Sequence, residues 1–393
     1  MRPTRRTPDH TRPAPDVIVV GAGVVGAACA FHAARAGLTV TVVDRGAVAG
    51  GTTGAGEGNL LVSDKEPGPE LELALLSATL WTELAELLPE DVEYEAKGGL
   101  VVASDDTGLR ALRAFAARQE KAGVTLHAVP GDALHDLEPH LAPGLAGGVH
   151  YPQDAQVMPA LAAAHLLRAG GGRVTVRPGT EVTRVLTGPD GAVRGVRTTA
   201  GDLHAPRVVN AAGTWGGELA RLAGVHLPVL PRRGFVLVTE PLPRLVRHKV
   251  YAADYVADVA SDSAALQTSA VVEGTPAGPV LIGASRERVG FDRTLSTEAL
   301  RRLATGATTL FPVLAGARAL RTYAGFRPYL PDHLPAIGPD PRVPGLLHAC
   351  GHEGAGIGLA PATGLLVTAC LTGARPPLDL HPFRPDRFPA GAP

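Results

Sequence analysis

The sequence predicts an α/β fold: a Rossmann-type nucleotide-binding domain joined to a second domain of α+β type. Two observations predict the first domain. Residues 16–44 read as strand, glycine turn, helix and strand, a βαβ unit that calls for a parallel sheet. At the passage from strand to helix stands Gly21-Ala22-Gly23-Val24-Val25-Gly26. A third observation predicts the other domain: from about Val225 to Leu320 the chain reads as strands, then one helix from Thr297 to Leu310.

Taken in order, Asp16 to Val20 is a β-branched run and so a buried strand, and Ala27 to Ala36 is a helix stopped by Gly37. Leu38 to Val43 is a second strand that ends at Asp44. A glycine- and threonine-rich loop, Gly50 to Asn59, leads to a helix from about Glu70 to Leu88. Gly98 to Ser104, and the segment to about Gly147, mix strands with helices and fall to the second domain. Leu161 to Arg168 is helical, and Val174 to Val176 is a strand. Glu181 to Val209 is strand-rich, with Pro189-Asp190-Gly191 as a turn between alternating segments. Val208 to Ala212 is another buried strand. Leu346 to Ala349 reads as strand and Gly356 to Leu371 as helix; the proline-rich end beyond Arg375 is loop or tail.

Composition narrows the function classes. A formal net charge of -1 gives no global field for nucleic acid or an anionic membrane. Cys29, Cys350 and Cys370 are scattered, so no disulfide framework, zinc site, iron–sulfur set or other metal site is expected, and a cytoplasmic setting fits. The first fifteen residues, rich in Arg and Pro, read as a disordered leader. Arg5-Arg6 is not taken for an export signal, because the first apolar run, Val17 to Ala30, already holds the glycine turn. No transmembrane segment is expected, since no apolar stretch reaches the roughly 18 residues that span a bilayer.

The glycine turn has a physical task for each residue. Gly21 allows the tight turn, Gly23 lets backbone approach a diphosphate, and Gly26 lets helix and strand pack closely. Val24 and Val25 stand in the turn as expected cofactor contacts, and the N-terminal N–H groups of the helix that follows favour an anion. Asp44 can accept both ribose hydroxyls, with Arg45 beside it. The pattern alone does not choose between FAD and NAD. The loop Gly51-Thr52-Thr53-Gly54-Ala55-Gly56-Glu57-Gly58-Asn59 favours FAD, because small residues and two hydroxyls suit close passage along a longer ligand.

Three further segments complete a pattern: Val208-Val209-Asn210-Ala211-Ala212-Gly213-Thr214-Trp215, Gly325-Phe326-Arg327-Pro328-Tyr329-Leu330-Pro331-Asp332, and Cys350-Gly351-His352-Glu353-Gly354-Ala355-Gly356-Ile357-Gly358-Leu359-Ala360-Pro361-Ala362-Thr363-Gly364. With the glycine turn they resemble the D-amino-acid oxidase superfamily, in the branch of glycine oxidase, sarcosine oxidase and D-amino-acid dehydrogenase. The resemblance implies a discontinuous FAD-binding domain, here 16–90, 148–224 and 321–386. It also implies a substrate domain, 91–147 and 225–320, whose antiparallel sheet covers the flavin. It implies that Val182 meets the adenine, that Ala212, Gly213 and Trp215 pass the dinucleotide, and that Thr52 and Thr53 touch the phosphate and flavin regions. Glu57, Gly58 and Asn59 extend that contact. The turn Gly354 to Ile357 (with Ala355 and Gly356) is implied to wrap the ring's pyrimidine end, and Gly351, His352 and Glu353 are expected among the cofactor-binding residues. Backbone N–H groups there favour the negative charge of reduced flavin.

The implied reaction is oxidation of the C–N bond of a small amino or imino acid, by hydride transfer from Cα to flavin N5. Arg327 matches the arginine that forks the substrate carboxylate in glycine oxidase relatives, and a guanidinium can make two parallel bonds to that group. Tyr251 and Tyr255 are candidates for bonding the carboxylate or closing the pocket, with packed tyrosines as the alternative. His352 is a candidate for bonding flavin or substrate, with a structural turn histidine as the alternative. No cysteine stands in Gly325 to Asp332, where sarcosine oxidases tether their flavin, so FAD is expected to be non-covalent. The loop from Gly51 to Ser77 looks more like flavin subunits of D-hydroxyproline, proline and opine dehydrogenases, which implies companion flavin and iron–sulfur subunits. Two other readings stay open: an NAD-dependent dehydrogenase using only the first turn, and a non-catalytic flavin electron-relay subunit.

Overall fold

The computed structural model describes residues 14–253 and 263–388. Tyr255 and residues 1–13 of the expected leader lie outside the described residues. The βαβ unit sits at the heart of a six-stranded sheet. Its order is Ala336–Pro339, Leu346–Cys350, Val208–Asn210, Val17–Val20, Val40–Val43 and Val174–Arg177. All neighbours pair parallel except the first two. All four residues of Val17–Val20 are buried, as a strand covered on both faces requires.

Helix Val24–Arg35 is built of small residues on its buried side, including Ala27, Ala28, Ala30 and Ala33. It packs on the last long helix, Gly356–Thr372. At their crossing a Cβ on Gly364 would lie 2.6 Å from the Ala28 carbonyl, so only glycine lets the axes come this close. The last helix carries Pro361 in its interior. Proline has no N–H for the carbonyl four residues back, which is Ile357. The indole Nε1–H of Trp81, on helix Pro69–Leu87, supplies it, donating to the carbonyls of Ile357 (3.1 Å) and Gly358 (3.2 Å). Ser77 of the same helix accepts the Ala362 amide. The start of the last helix is thereby held from outside.

The expectation of no apolar stretch long enough for a bilayer is corrected here. Glu353–Thr372 passes by length and composition, with a mean hydropathy of 1.6. Two thirds of that window is buried inside the protein (67%), between the two helices just described, so its apolarity serves the core.

The second sheet has eight strands, in the order Ala319–Tyr329, Leu230–Thr239, Val280–Arg286, Gln267–Gly274, Lys249–Ala252, Gly99–Ala103, Gly147–Tyr151 and His127–Pro130. It is antiparallel apart from the pairing of Lys249–Ala252 with Gly99–Ala103. The boundaries expected at 147/148 and 320/321 cut through two of its strands. Local alternation reads the same in either sheet, so pairing partners alone decide where such strands belong. One face buries Leu100, Val102, Phe235, Val250, Val272 and Ile282 against helix Thr297–Leu310. The opposite face looks toward the parallel sheet, and glycines lower it. A Cβ on Gly283 would fall 2.0 Å from Glu57 Oε1, one on Gly325 would fall 2.7 Å from Ala55 Cβ, and one on Gly234 would fall 2.2 Å from Arg327 Nη1. Gly234 and Gly325 are directly paired. This bare floor lets the 52–59 loop and the Arg327 side chain lie across the sheet.

Candidate active site

One long cleft runs between the two sheets, from Val182 at one end to Lys65, Arg327 and Glu353 at the other. It is lined by every expected cofactor segment: the glycine turn, Asp44-Arg45, the 52–59 loop, Ala212 to Trp215 and His352 to Ile357. At the turn, Gly21 has φ +116°, and its Cβ would lie 2.2 Å from the Ala211 carbonyl oxygen. A Cβ on Gly26 would meet the Gly21 carbonyl oxygen at 2.0 Å. Both glycines are thus required by the backbone itself. Gly23 faces Thr53, whose Oγ1 accepts the Val24 amide at 3.0 Å. The Asp44 carboxylate is fixed by the amides of Ala22 (2.8 Å) and Gly46 (2.7 Å), one on each oxygen. Arg45 lies over the Trp215 ring, 4.2 Å from its centroid, and pairs with Glu181 at 3.9 Å.

Thr52 ties the two sheets together. Its hydroxyl donates to the Phe326 carbonyl (2.6 Å), which also takes the Thr214 hydroxyl (2.9 Å). Glu57 rests on the bare Gly283 and accepts from Asn59 Nδ2 at 3.3 Å. Its Oε1, and the Asn59 Oδ1, are buried without a hydrogen-bond partner among the described residues. Two orphaned acceptors on a cleft wall fit a ligand that donates. Gly58 has φ +98° and sits against the Val157 carbonyl, so no side chain fits there.

At the far end, Arg327 donates from Nη1 to the Ser285 carbonyl at 2.8 Å. Its guanidinium lies between Gly234 and Gly354, whose Cβ would be 3.4 Å from Arg327 Nε. Across the strand pair, Arg232 is directly opposite Arg327. Arg232 donates to the Glu353 carboxylate, whose other oxygen meets His333 Nδ1 at 3.1 Å. Burial alone would push the Glu353 carboxyl up, but the His333 hydrogen bond and the Arg232 charge outweigh it and hold the group at about 2. This clamp fixes the residue that precedes the Gly354 to Ile357 turn. Gly351 has φ +85° and packs on Leu330.

His352 Nε2 lies 3.0 Å from Thr363 Oγ1. The Thr363 hydroxyl donates to the Leu359 carbonyl, so it accepts from His352, which is therefore the Nε2–H tautomer. Burial pushes His352 down to about 3. It stays neutral at ordinary pH and pins the loop to the last helix. Cys350 also reaches the cleft, but its Sγ packs on Gly216 and burial pushes its thiol up to about 12.

Tyr251 does not line the cleft. It is fully buried, and its hydroxyl donates to Ser63 Oγ at 2.5 Å. Ser63 in turn donates to Asp154, whose other oxygen takes the Val62 amide. The tyrosine thus supports the 61–65 loop from beneath. That loop presents residues that sequence reasoning missed, Asp64 and the buried Lys65, whose Nζ is 2.6 Å from Asp64 and 3.8 Å from Glu70. An adjacent acid–base pair after an apolar run was the available signal.

A family model described as FAD dependent oxidoreductase (DAO) matches residues 16–370. Hydrogen cyanide synthase subunit HcnC of Pseudomonas aeruginosa is 32% identical, over 95% of this chain and 96% of its own. Glycine oxidase of Pseudomonas putida is 34% identical, over 94% of this chain and 98% of its own. The crystal structure of glycine oxidase from Geobacillus kaustophilus superposes with a TM-score of 0.86 at 29% identity, covering 95% of this chain and 99% of its own.

Proposed function

Because the chain belongs to the DAO family of FAD-dependent oxidoreductases, we propose that it oxidises the C–N bond of a small amino or imino acid, with proline-like and hydroxyproline-like acids foremost. The single observation that carries this reading is the Arg327 guanidinium in the same cleft as the Gly354 to Ile357 turn, 3.4 Å from the position of a Gly354 Cβ. The relatives named glycine oxidase support it. When bound, FAD would supply the two-electron acceptor for the hydride that the substrate's Cα gives up.

The residues do the rest by placement. Gly21, Gly23 and the helix start at Val24 and Val25 would hold the diphosphate, Gly26 lets that helix pack close to the turn, and Asp44 would take the ribose. Arg45 and Val182 flank the adenosine; Thr53, Glu57, Gly58 and Asn59 line its continuation. Amides of the Gly354 to Ile357 turn stabilise charge on the reduced ring. Arg327 forks the substrate carboxylate and so sets the Cα–H over the ring. His352, neutral and committed to Thr363, positions the loop and carries no proton. FAD is held without a covalent tether, since the cleft's Cys350 is a packed, protonated thiol.

Electrons leave to a companion subunit, a reading supported by the relative whose own name calls it a subunit. The test is a turnover screen of amino, N-methylamino and imino acids, each with air and with an artificial acceptor. The account expects a small cyclic imino acid to support turnover with the acceptor and far less with air. No turnover by any of these acids under either condition would refute it, and the electron-relay reading would take its place.

A further inference from the structure

The loop 287–295 joins strand Val280–Arg286 to helix Thr297–Leu310, and so belongs to the eight-stranded sheet. It is held at its base by one buried side chain. Arg233 donates from Nε to Glu287 (2.8 Å), and from Nη1 to the Asp292 carboxylate (2.8 Å), the Asp292 carbonyl (2.9 Å) and the Thr294 carbonyl (3.0 Å). From this base the loop reaches across the cleft. The Phe291 ring stacks on Trp215, which follows a strand of the other sheet, with centroids 5.3 Å apart and planes 8° apart. It also meets Phe326 edge-on at 5.4 Å. Trp215 carries Arg45 over its ring as well.

Next along, Arg293 lines the cleft and lies over the Phe326 ring, 5.9 Å from its centroid. Phe326 is also the residue whose carbonyl takes the Thr52 hydroxyl, and Thr52 and Thr53 line the same cleft as Arg293. Phe291 stays 43% exposed although its ring contacts two others, so it can swing away without breaking a packed core.

We propose that 287–295 is a strap that retains the cofactor: Phe291 latches onto Trp215 across the cleft, and Arg293 meets the FAD diphosphate from the substrate-sheet side. FAD leaves only when the Phe291–Trp215 stack parts. The inference rests on FAD being the cofactor and is independent of which substrate is oxidised.

The test measures FAD release from the purified holoenzyme, as the rise in flavin fluorescence after dilution. Phe291→Ala is expected to release FAD roughly two- to tenfold faster, the range of a lost aromatic stack, while Phe291→Tyr keeps the wild-type rate. Arg293→Gln is expected to release it about tenfold faster at low salt, with the gap to wild type closing as salt screens the pair. Wild-type release from both Phe291→Ala and Arg293→Gln would overturn the strap, as would equal acceleration by Phe291→Ala and Phe291→Tyr. A wild-type chain that retains FAD but oxidises no amino acid would contradict the proposed reaction and leave this release experiment unaffected.

Discussion

Arg327 is the residue whose surroundings say most about its task. It lies on a strand, flanked by Gly234 and Gly354, and its Nη1 donates to the Ser285 carbonyl. Arg327→Ala is expected to raise KM by about a hundredfold with FAD content unchanged, the loss of a two-pronged charged contact. Arg327→Lys should recover only part, because an ammonium cannot fork a carboxylate. His352 makes a separate prediction. Its folded-state value of about 3 lies below the ordinary 6.5, so the unfolded chain binds the proton first and stability falls as pH drops through that window. Gln at this position keeps the donor for Thr363 and removes the titration. Urea unfolding across pH should therefore show a shrinking difference between wild type and His352→Gln below pH 6.5, by at most about 1.4 kcal/mol per pH unit. At this scale the glycines, Asp44 and Arg327 were legible because backbone geometry and charge leave few alternatives. Arg232 and Lys65 were not, because their partners, Glu353 and Glu70, are set by tertiary packing. Tyr251 follows the packed alternative rather than the pocket role, because which space its side chain fills is likewise set by tertiary packing.

Among the elements, the last helix depends most on a neighbour. Pro361 removes the N–H that would satisfy Ile357, and Trp81 replaces it. Trp81→Phe is expected to cost about 1–3 kcal/mol by orphaning a buried carbonyl. In a Pro361→Ala background, where the helix supplies its own N–H, that cost should shrink; equal costs in both backgrounds, read by chemical denaturation, would contradict the argument. The floor of the cleft is tested by Gly283→Ala. Its methyl would fall 2.0 Å from Glu57 Oε1 and displace that carboxylate from its place on the cleft wall. Purified Gly283→Ala should therefore carry less than half the wild-type flavin per chain while keeping its fold by circular dichroism. The helix Thr297–Leu310 was legible to the residue, since it begins at a capping Ser296 and ends before Phe311-Pro312. The floor was not legible, because Gly234, Gly283 and Gly325 are spread along the sequence and become one surface only when three strands pair.

For the whole molecule, two sheets of different kind face each other across one cleft, and the chain passes between them repeatedly. That traffic explains why two of the four expected internal boundaries fell inside strands, Gly147–Tyr151 and Ala319–Tyr329. It also explains why the candidate site draws on residues from Gly21 to Gly358. The parallel half was readable from its β-branched runs and glycine turn. The antiparallel half was readable as a class but not in its strand order, which no local pattern encodes. The most direct measurement is a crystal structure of the FAD complex soaked with a planar cyclic imino-acid carboxylate that cannot be oxidised. The account predicts the isoalloxazine ring against the Gly354 to Ile357 turn and the ligand carboxylate forked on Arg327. A carboxylate bound instead at Lys65, or a ring lying away from that turn, would contradict it.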